Sequence, residues 1–210
     1  MPRFARCILL LILVTFAALS GGQTLNSTVE SERPRTALLV VDAQVGVLGS
    51  AWDATRVTKN IEVLVAKARA QGVPVFWIQH EDDELKFGSE PWKLVANFVP
   101  TAKEAVIRKK YNSSFGNTDL DRQLKELKIA RIVLAGASTN WCIRATAYAA
   151  LDRGYHLALV ADAHSTEAMK LETGQVIPAA SIVSELNTVM QWISVPNVKT
   201  DVKPTAAVTF

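Results

Sequence analysis

Five short runs of almost unbroken apolar residues, set among stretches with helical spacing, constrain this chain more than any other feature. They are TALLVVDAQ from Thr36, VPVFWIQH ending at His80, AVIRKK over 105–110, ARIVLAGA ending at Ala137 and YHLALVADA ending at Ala163. A strand exposed on one face alternates apolar with polar residues; one covered on both faces does not. The runs therefore predict a parallel sheet covered by helices on both faces.

Between the runs, residues 57–72 place Ile61, Leu64, Val65 and Ala68 on one helical face and stop at Gly72. Residues 118–128 predict a helix with Thr118 as its N-cap, NWCIRATAYAALDRG a helix ending at Gly154, and IPAASIVSELNTVMQWI a closing helix. The segment 81–103 has little pattern, and residues 196–210 either add an edge strand or form a loose tail. No internal repeat or low-complexity tract is present.

The N-terminus has a separate meaning. Arg3 and Arg6 precede a short apolar run from Ile8 to Leu19, and small residues follow. That is the pattern of a secretory signal over residues 1–22, with cleavage after Ser20 or Gly22. The run is shorter than a spanning helix needs, so export rather than anchoring is expected, to the periplasm or the exterior. Residues 23–35 read as a polar linker, 36–195 as one domain and 196–210 as its tail. Removing Arg3 and Arg6 from 23 basic residues leaves a near balance with 20 acidic ones. Such a chain has no electrostatic reason to seek nucleic acid or an anionic membrane. Cys7 leaves with the signal, and Cys142 remains as a lone thiol where exported proteins usually keep cysteines in pairs.

In an open parallel sheet, functional groups gather beyond the carboxyl ends of the strands. Asp42 closes the first run, His80 the second, Lys109 or Lys110 the third; Cys142 follows the fourth, Asp162 and His164 the fifth. Ser138, Thr139 and Asn140 are good N-cap residues, which would put Cys142 in a first helical turn. There the helix dipole and free N–H groups would lower the thiol pKa and hold an oxyanion at the Ser138 and Cys142 N–H groups. Asp42 can take the thiol proton, and a lysine beside both keeps the charges compatible.

LLVVDAQ, VIRKKYNSSFGNTDL and VLAGASTNWCIRATAYAALDRGYHLALVADAHST together resemble the isochorismatase-like cysteine hydrolases, over nearly all of residues 36–192. The resemblance implies a three-layer α/β/α, Rossmann-like fold with a mostly parallel sheet of five to six strands. It also implies an Asp–Lys–Cys triad, which falls on Asp42, Lys109 and Cys142. Lys109 is chosen over Lys110 because the family lysine lies six residues before a phenylalanine, here Phe115. A non-prolyl cis peptide is implied between Ala137 and Ser138, and homo-oligomers are common in the family.

Two departures narrow the activity. Isochorismatases proper lack the nucleophilic cysteine, so Cys142 points to the branch that hydrolyses amides. Nicotinamidases of the family carry an Asp-x-His metal site after the second strand; WIQHEDDELKFGSEPW has His80 but no such motif. The expectation is a cysteine hydrolase of a small amide or ureido compound, without metal or other cofactor. The alternatives are a non-catalytic small-molecule-binding protein on the same scaffold, or a nicotinamidase- or isochorismatase-type member with another substrate. His80, Glu81, Asp162 and His164 could supply zinc ligands, but no recognised ligand spacing supports that. His80 is expected to line the pocket, and His164 to stabilise the turn after VADA. Gln44, two residues beyond Asp42, is expected to orient Asp42 or the substrate amide. Trp92, Phe115 and Trp141 are expected to wall an apolar pocket for a flat substrate. Asn26 and Asn112 both fit the glycosylation pattern.

Overall fold

The computed structural model describes residues 34–210, so the signal segment, Asn26 and all but the end of the linker lie outside the described residues. In chain order the elements are β1 (Thr36–Val41), a one-turn α1 (Val45–Leu48), α2 (Ala54–Ala70), β2 (Val75–His80), β3 (Ala105–Lys109) and α3 (Leu120–Glu126). Then come β4 (Arg131–Ala137), a π-helical turn Thr139–Ile143, α4 (Arg144–Asp152) and β5 (His156–Ser165). A small hairpin of β6 (Met169–Lys170) and β7 (Val176–Ile177) leads to α5 (Ala179–Trp192), β8 (Thr200–Lys203) and a 3-10 turn, Thr205–Ala207. Among the described residues no helix is long and apolar enough to cross a membrane.

All six residues of β1 are buried, because the strand lies inside the sheet with helices on both sides. The order is β3-β2-β1-β4-β5-β8, and every pair in it is parallel. Strand alternation divides the interior into two cores. On one face Leu38, Val40, Trp77, Val133 and Val160 pack against Val57, Ile61, Leu64, Val65 and Ala68 of α2. On the other, Leu39, Val41, Ile78, Ile132 and Leu134 meet α3, α4 and α5 through Leu124, Ala147, Leu151, Leu186 and Met190. This is the three-layer α/β/α arrangement.

Helix α2 ends as its sequence predicts. Gly72 sits at φ +65°, and the N–H groups of Gly72 and Val73 bond to the carbonyls of Arg69 and Ala68, a Schellman closure. Two local expectations are corrected. α2 begins at Ala54, earlier than the apolar spacing shows. α3 begins at Leu120 with Asp119 at the N-cap position, while Thr118 Oγ1 accepts a bond from the Leu120 N–H at 3.3 Å. Of the two readings of residues 196–210 the edge strand holds: β8 pairs with β5 from Leu157↔Thr200 to Val160↔Lys203 and forms one border of the sheet.

Candidate active site

Four neighbouring strands, β3-β2-β1-β4, each deliver one polar group at the same end: Lys109, His80, Asp42 and, through the turn after β4, Cys142. The strand order reverses between β1 and β4, where parallel sheets open a crevice. Two backbone features seat the pair. Asp42 adopts φ +47°, a left-handed conformation that aspartate tolerates better than most residues, and its N–H bonds to the Ile78 carbonyl at 2.8 Å. Gly136 adopts φ +127°, and a Cβ there would lie 1.9 Å from the Val41 carbonyl oxygen. Only glycine lets β4 close on β1 immediately before Asp42.

The period-2 pattern of β3 decides between the two lysines. Ile107 and Lys109 face inward and are buried, whereas Val106, Arg108 and Lys110 face out. Lys109 Nζ lies 2.8 Å from Asp42 Oδ2, 3.1 Å from His80 Nδ1 and 3.2 Å from Cys142 Sγ. An ammonium has three protons, and these three acceptors use them all. Both side chains of the Asp42–Lys109 ion pair are essentially inaccessible. Ligand-type atoms of Asp42, His80 and Cys142 lie within 4.8 Å of one another, a spacing that would also suit a metal ion. Their lone pairs are directed at a resident ammonium, so the constellation fits a lysine better than a metal.

His80 accepts from Lys109 at Nδ1, and its Nε2 lies 3.2 Å from Asp82 Oδ2. The imidazole is thereby set as the Nε2–H tautomer, donating to Asp82. Asp82 is itself anchored: the N–H groups of Leu85 and Glu84 bond to Oδ1 and hold its carboxyl below the ordinary carboxylate range. Both nitrogens of His80 are engaged, so it backs the lysine, and its ring lines the cleft as expected.

The turn that carries Cys142 differs from the expected α-helical start. Thr139–Ile143 is π-helical, the Ala137–Ser138 peptide is cis, and the Ser138 carbonyl accepts from Trp141 and Ile143, passing over Cys142 between them. Ser138 occupies the N-cap position but makes no side-chain cap bond. Burial pushes the Cys142 thiol up to about 12, the Asp42 carboxylate adds to the rise, and the Lys109 ammonium opposes it. The expected lowering of the thiol pKa is therefore corrected. A sulfur shielded from water beside a carboxylate rests as the neutral thiol. Asp42 Oδ1 is buried with no hydrogen-bond partner, a free acceptor near that thiol.

A cleft of about 590 Å³ opens over these groups, lined by Asp42, His80, Asp82, Ser138, Trp141 and Cys142, among others. Asn112 is exposed on its wall. A larger groove, about 840 Å³, follows the outer border of β3 past Val106, Arg108 and Lys110, and contains neither Asp42 nor Cys142.

Three expected pocket residues lie elsewhere. Gln44 is fully buried; its amide donates to the His80 and Trp92 carbonyls and accepts from the His80 N–H. It clamps the end of β2 to the following loop and orients neither Asp42 nor a substrate. Phe115 belongs to the core, its ring 6.0 Å from that of Tyr155. Trp92 packs edge-on to Phe87, while its carbonyl serves Gln44 and Gln79. Of the three aromatics only Trp141, 57% exposed, walls the cleft.

The zinc candidates are likewise dispersed. Glu81 lies 3.5 Å from Arg108, and Asp162 accepts from the Thr205 N–H and hydroxyl. His164 is completely buried within β5, which continues past the expected turn. Its Nε2–H donates to Asn187 Oδ1, whose amide nitrogen donates to the Ala161 carbonyl. That leaves His164 Nδ1 to accept from the Thr139 hydroxyl at 2.9 Å, so His164 steadies the head of the turn that carries Cys142. Asp82, Gly136 and Asn187 were not singled out from sequence, and Thr139 only as one of three N-cap candidates. Glycine inside a strand run is the one local signal among them.

Comparison with known proteins accords with this geometry. Residues 36–184 match the family model described as the isochorismatase domain. A streptothricin hydrolase of Streptomyces noursei is 32% identical over 162 residues, 73% of this chain and 64% of the relative. The chain spans 53% of another streptothricin hydrolase from the same organism, at 31% identity. The uncharacterized isochorismatase family protein YddQ of Bacillus subtilis is 32% identical over 70% of this chain and 86% of its own length. Among solved structures, an isochorismatase from Pseudomonas putida superposes with a TM-score of 0.75 at 27% identity, covering 83% of this chain and 90% of that one. A cysteine hydrolase from Pseudomonas syringae shares the fold, with a TM-score of 0.73 at 22% identity over 82% and 89% of the two chains.

Proposed function

The chain belongs to the isochorismatase family of hydrolases, and from that premise we propose that it cleaves a C–N bond of a small amide or ureido compound through a Cys142 thioester. The observation that carries this reading is the position of Lys109 Nζ, within hydrogen-bonding distance of both Asp42 and Cys142 beneath an open cleft. The name of the streptothricin hydrolases supports hydrolysis as the class of reaction.

The resting site holds a carboxylate, an ammonium and a neutral thiol. Asp42 Oδ1 takes the thiol proton as sulfur attacks the carbonyl carbon. This transfer creates no new net charge: the ion pair Asp42–Lys109 becomes Cys142–Lys109, which keeps the step feasible in a buried site. Backbone N–H groups at Ser138 and Cys142 are assigned to the oxyanion. The protonated Asp42 gives its proton to the departing nitrogen, leaving a thioester. Water deprotonated by Asp42 then releases the acid and restores the thiol.

The test is ammonia release from a panel of small amides, with mass spectrometry of the quenched enzyme for an acyl adduct on Cys142. Cys142→Ala should abolish both while the far-ultraviolet spectrum is retained. Turnover by that variant removes the nucleophile assignment; an unmodified thiol and no turnover on any amide leave a binding protein on the same scaffold. Export by residues 1–22 and assembly into a homo-oligomer are parts of the same proposal, read out by the N-terminus of protein recovered outside the cytoplasm and by its mass in solution.

A further inference from the structure

The catalytic cleft has a second lobe. A cavity of about 220 Å³ shares Gly46, Val47, Ser138 and Trp141 with it and extends to Ser50, Asn140, Thr166 and Glu167. Among the described residues, every carboxylate or cationic side chain lining either lobe is acidic: Asp42, Asp82 and Glu84 in the first, Glu167 in the second. Lys109 lies below the floor and is matched by Asp42, and both His80 nitrogens are taken up by Lys109 and Asp82. Asp82, Glu84 and Glu167 thus give the walls an uncompensated negative potential. Asp42 Oδ1, buried and without a hydrogen-bond partner, adds an acceptor at the base. Trp141, exposed where the lobes meet, offers a ring face to a cation.

We propose that the two-lobed cleft selects amide or ureido substrates carrying an ammonium or guanidinium group and rejects those carrying a carboxylate. This deepens the hydrolase reading and rests on it for the reaction alone, because the charge selection is a property of the walls. A cleft lined by one sign of charge concentrates the opposite sign, and an anion entering it meets repulsion with no donor to replace its water.

The experiment uses the thiol as reporter and needs no turnover. Cys142 is labelled with 2-aminoethyl methanethiosulfonate, which is cationic, with the neutral methyl reagent, and with the anionic 2-sulfonatoethyl reagent. Mass spectrometry assigns the adduct to Cys142, and each rate is divided by that of a free small thiol. The cationic reagent should exceed the anionic one by about tenfold at low salt. That ratio should fall several-fold in the double variant Glu84→Gln, Glu167→Gln and in high salt, where screening shortens to a few ångströms. A ratio near unity, a ratio indifferent to the double variant, or a thiol silent to all three reagents overturns the proposal. In parallel, 5-aminopentanamide, pentanamide and succinamic acid are compared for ammonia release. If none is hydrolysed, the amidohydrolase reading fails, while the labelling ratio still decides the charge selection.

Discussion

His164 offers the sharpest thermodynamic test of how the turn that carries Cys142 is held. Burial drives its pKa down to about 4 from an ordinary 6.5, against a smaller upward pull from the bond to Asn187. In the folded chain the ring is neutral, accepting from Thr139 and donating to Asn187; in the unfolded chain it protonates freely below pH 6.5. Between those values the unfolded state binds more protons, so this contribution to stability is complete above pH 6.5 and is lost as pH falls toward 4. Linkage gives a loss of about 2 kcal/mol by pH 5, approaching about 3 kcal/mol at lower pH. Urea unfolding of the wild-type protein and His164→Gln, at about pH 7.5 and about pH 5, isolates the effect from the carboxylates that both proteins share. The stability advantage of the wild type should shrink by about 2 kcal/mol at the lower pH. An advantage equal at the two pH values would refute the neutral, doubly bonded imidazole.

Removing the buried cation should be more damaging than removing the whole pair. Lys109→Met leaves the Asp42 carboxylate uncompensated and should cost about 3–5 kcal/mol in denaturant unfolding, whereas Asp42→Asn with Lys109→Met should recover much of that loss without recovering activity. Gly136→Ala forces a Cβ to 1.9 Å from a backbone oxygen that lies inside the sheet, so it should lower the melting temperature by well over the few degrees of an ordinary surface change. Normal melting of that variant would show that β4 can draw away from β1. Gln44→Met keeps the volume but strips bonds from His80 and Trp92; a loss of about 2–3 kcal/mol is expected, and an unchanged urea midpoint would show that the clamp is dispensable.

The strands were readable because burial on both faces writes itself as uninterrupted apolar residues, and the polar residue ending each run marked the working edge. That brought Asp42, a lysine at 109 or 110 and Cys142 to one edge, and the family resemblance chose Lys109. Their neighbours could not be read in this way. Glu81, Asp82, Asp83 and Glu84 are equivalent on paper, and only the turn that ties Asp82 to the N–H groups of Glu84 and Leu85 singles it out for His80. Gln44 sits beside Asp42 in the chain and Trp92 was an aromatic near the working edge, yet the course of residues 81–103 sends Gln44 into backbone bonding and Trp92 against Phe87, and that segment carries no periodicity. Phe115 lies in the motif of the lysine loop but packs against Tyr155. The thiol misled for a different reason. A helix start favours an anion, but the depth of the sulfur and the adjoining carboxylate outweigh it.

The Lys109 ammonium rides on one of the two border strands, which has a neighbour on one side only and five residues to hold it. Border strands detach more readily than those within a sheet. Fraying there would strand a carboxylate and a thiol without their shared cation while the remaining strands stay assembled. On the proposed mechanism, loosening of this one border would silence the chemistry before the molecule as a whole comes apart.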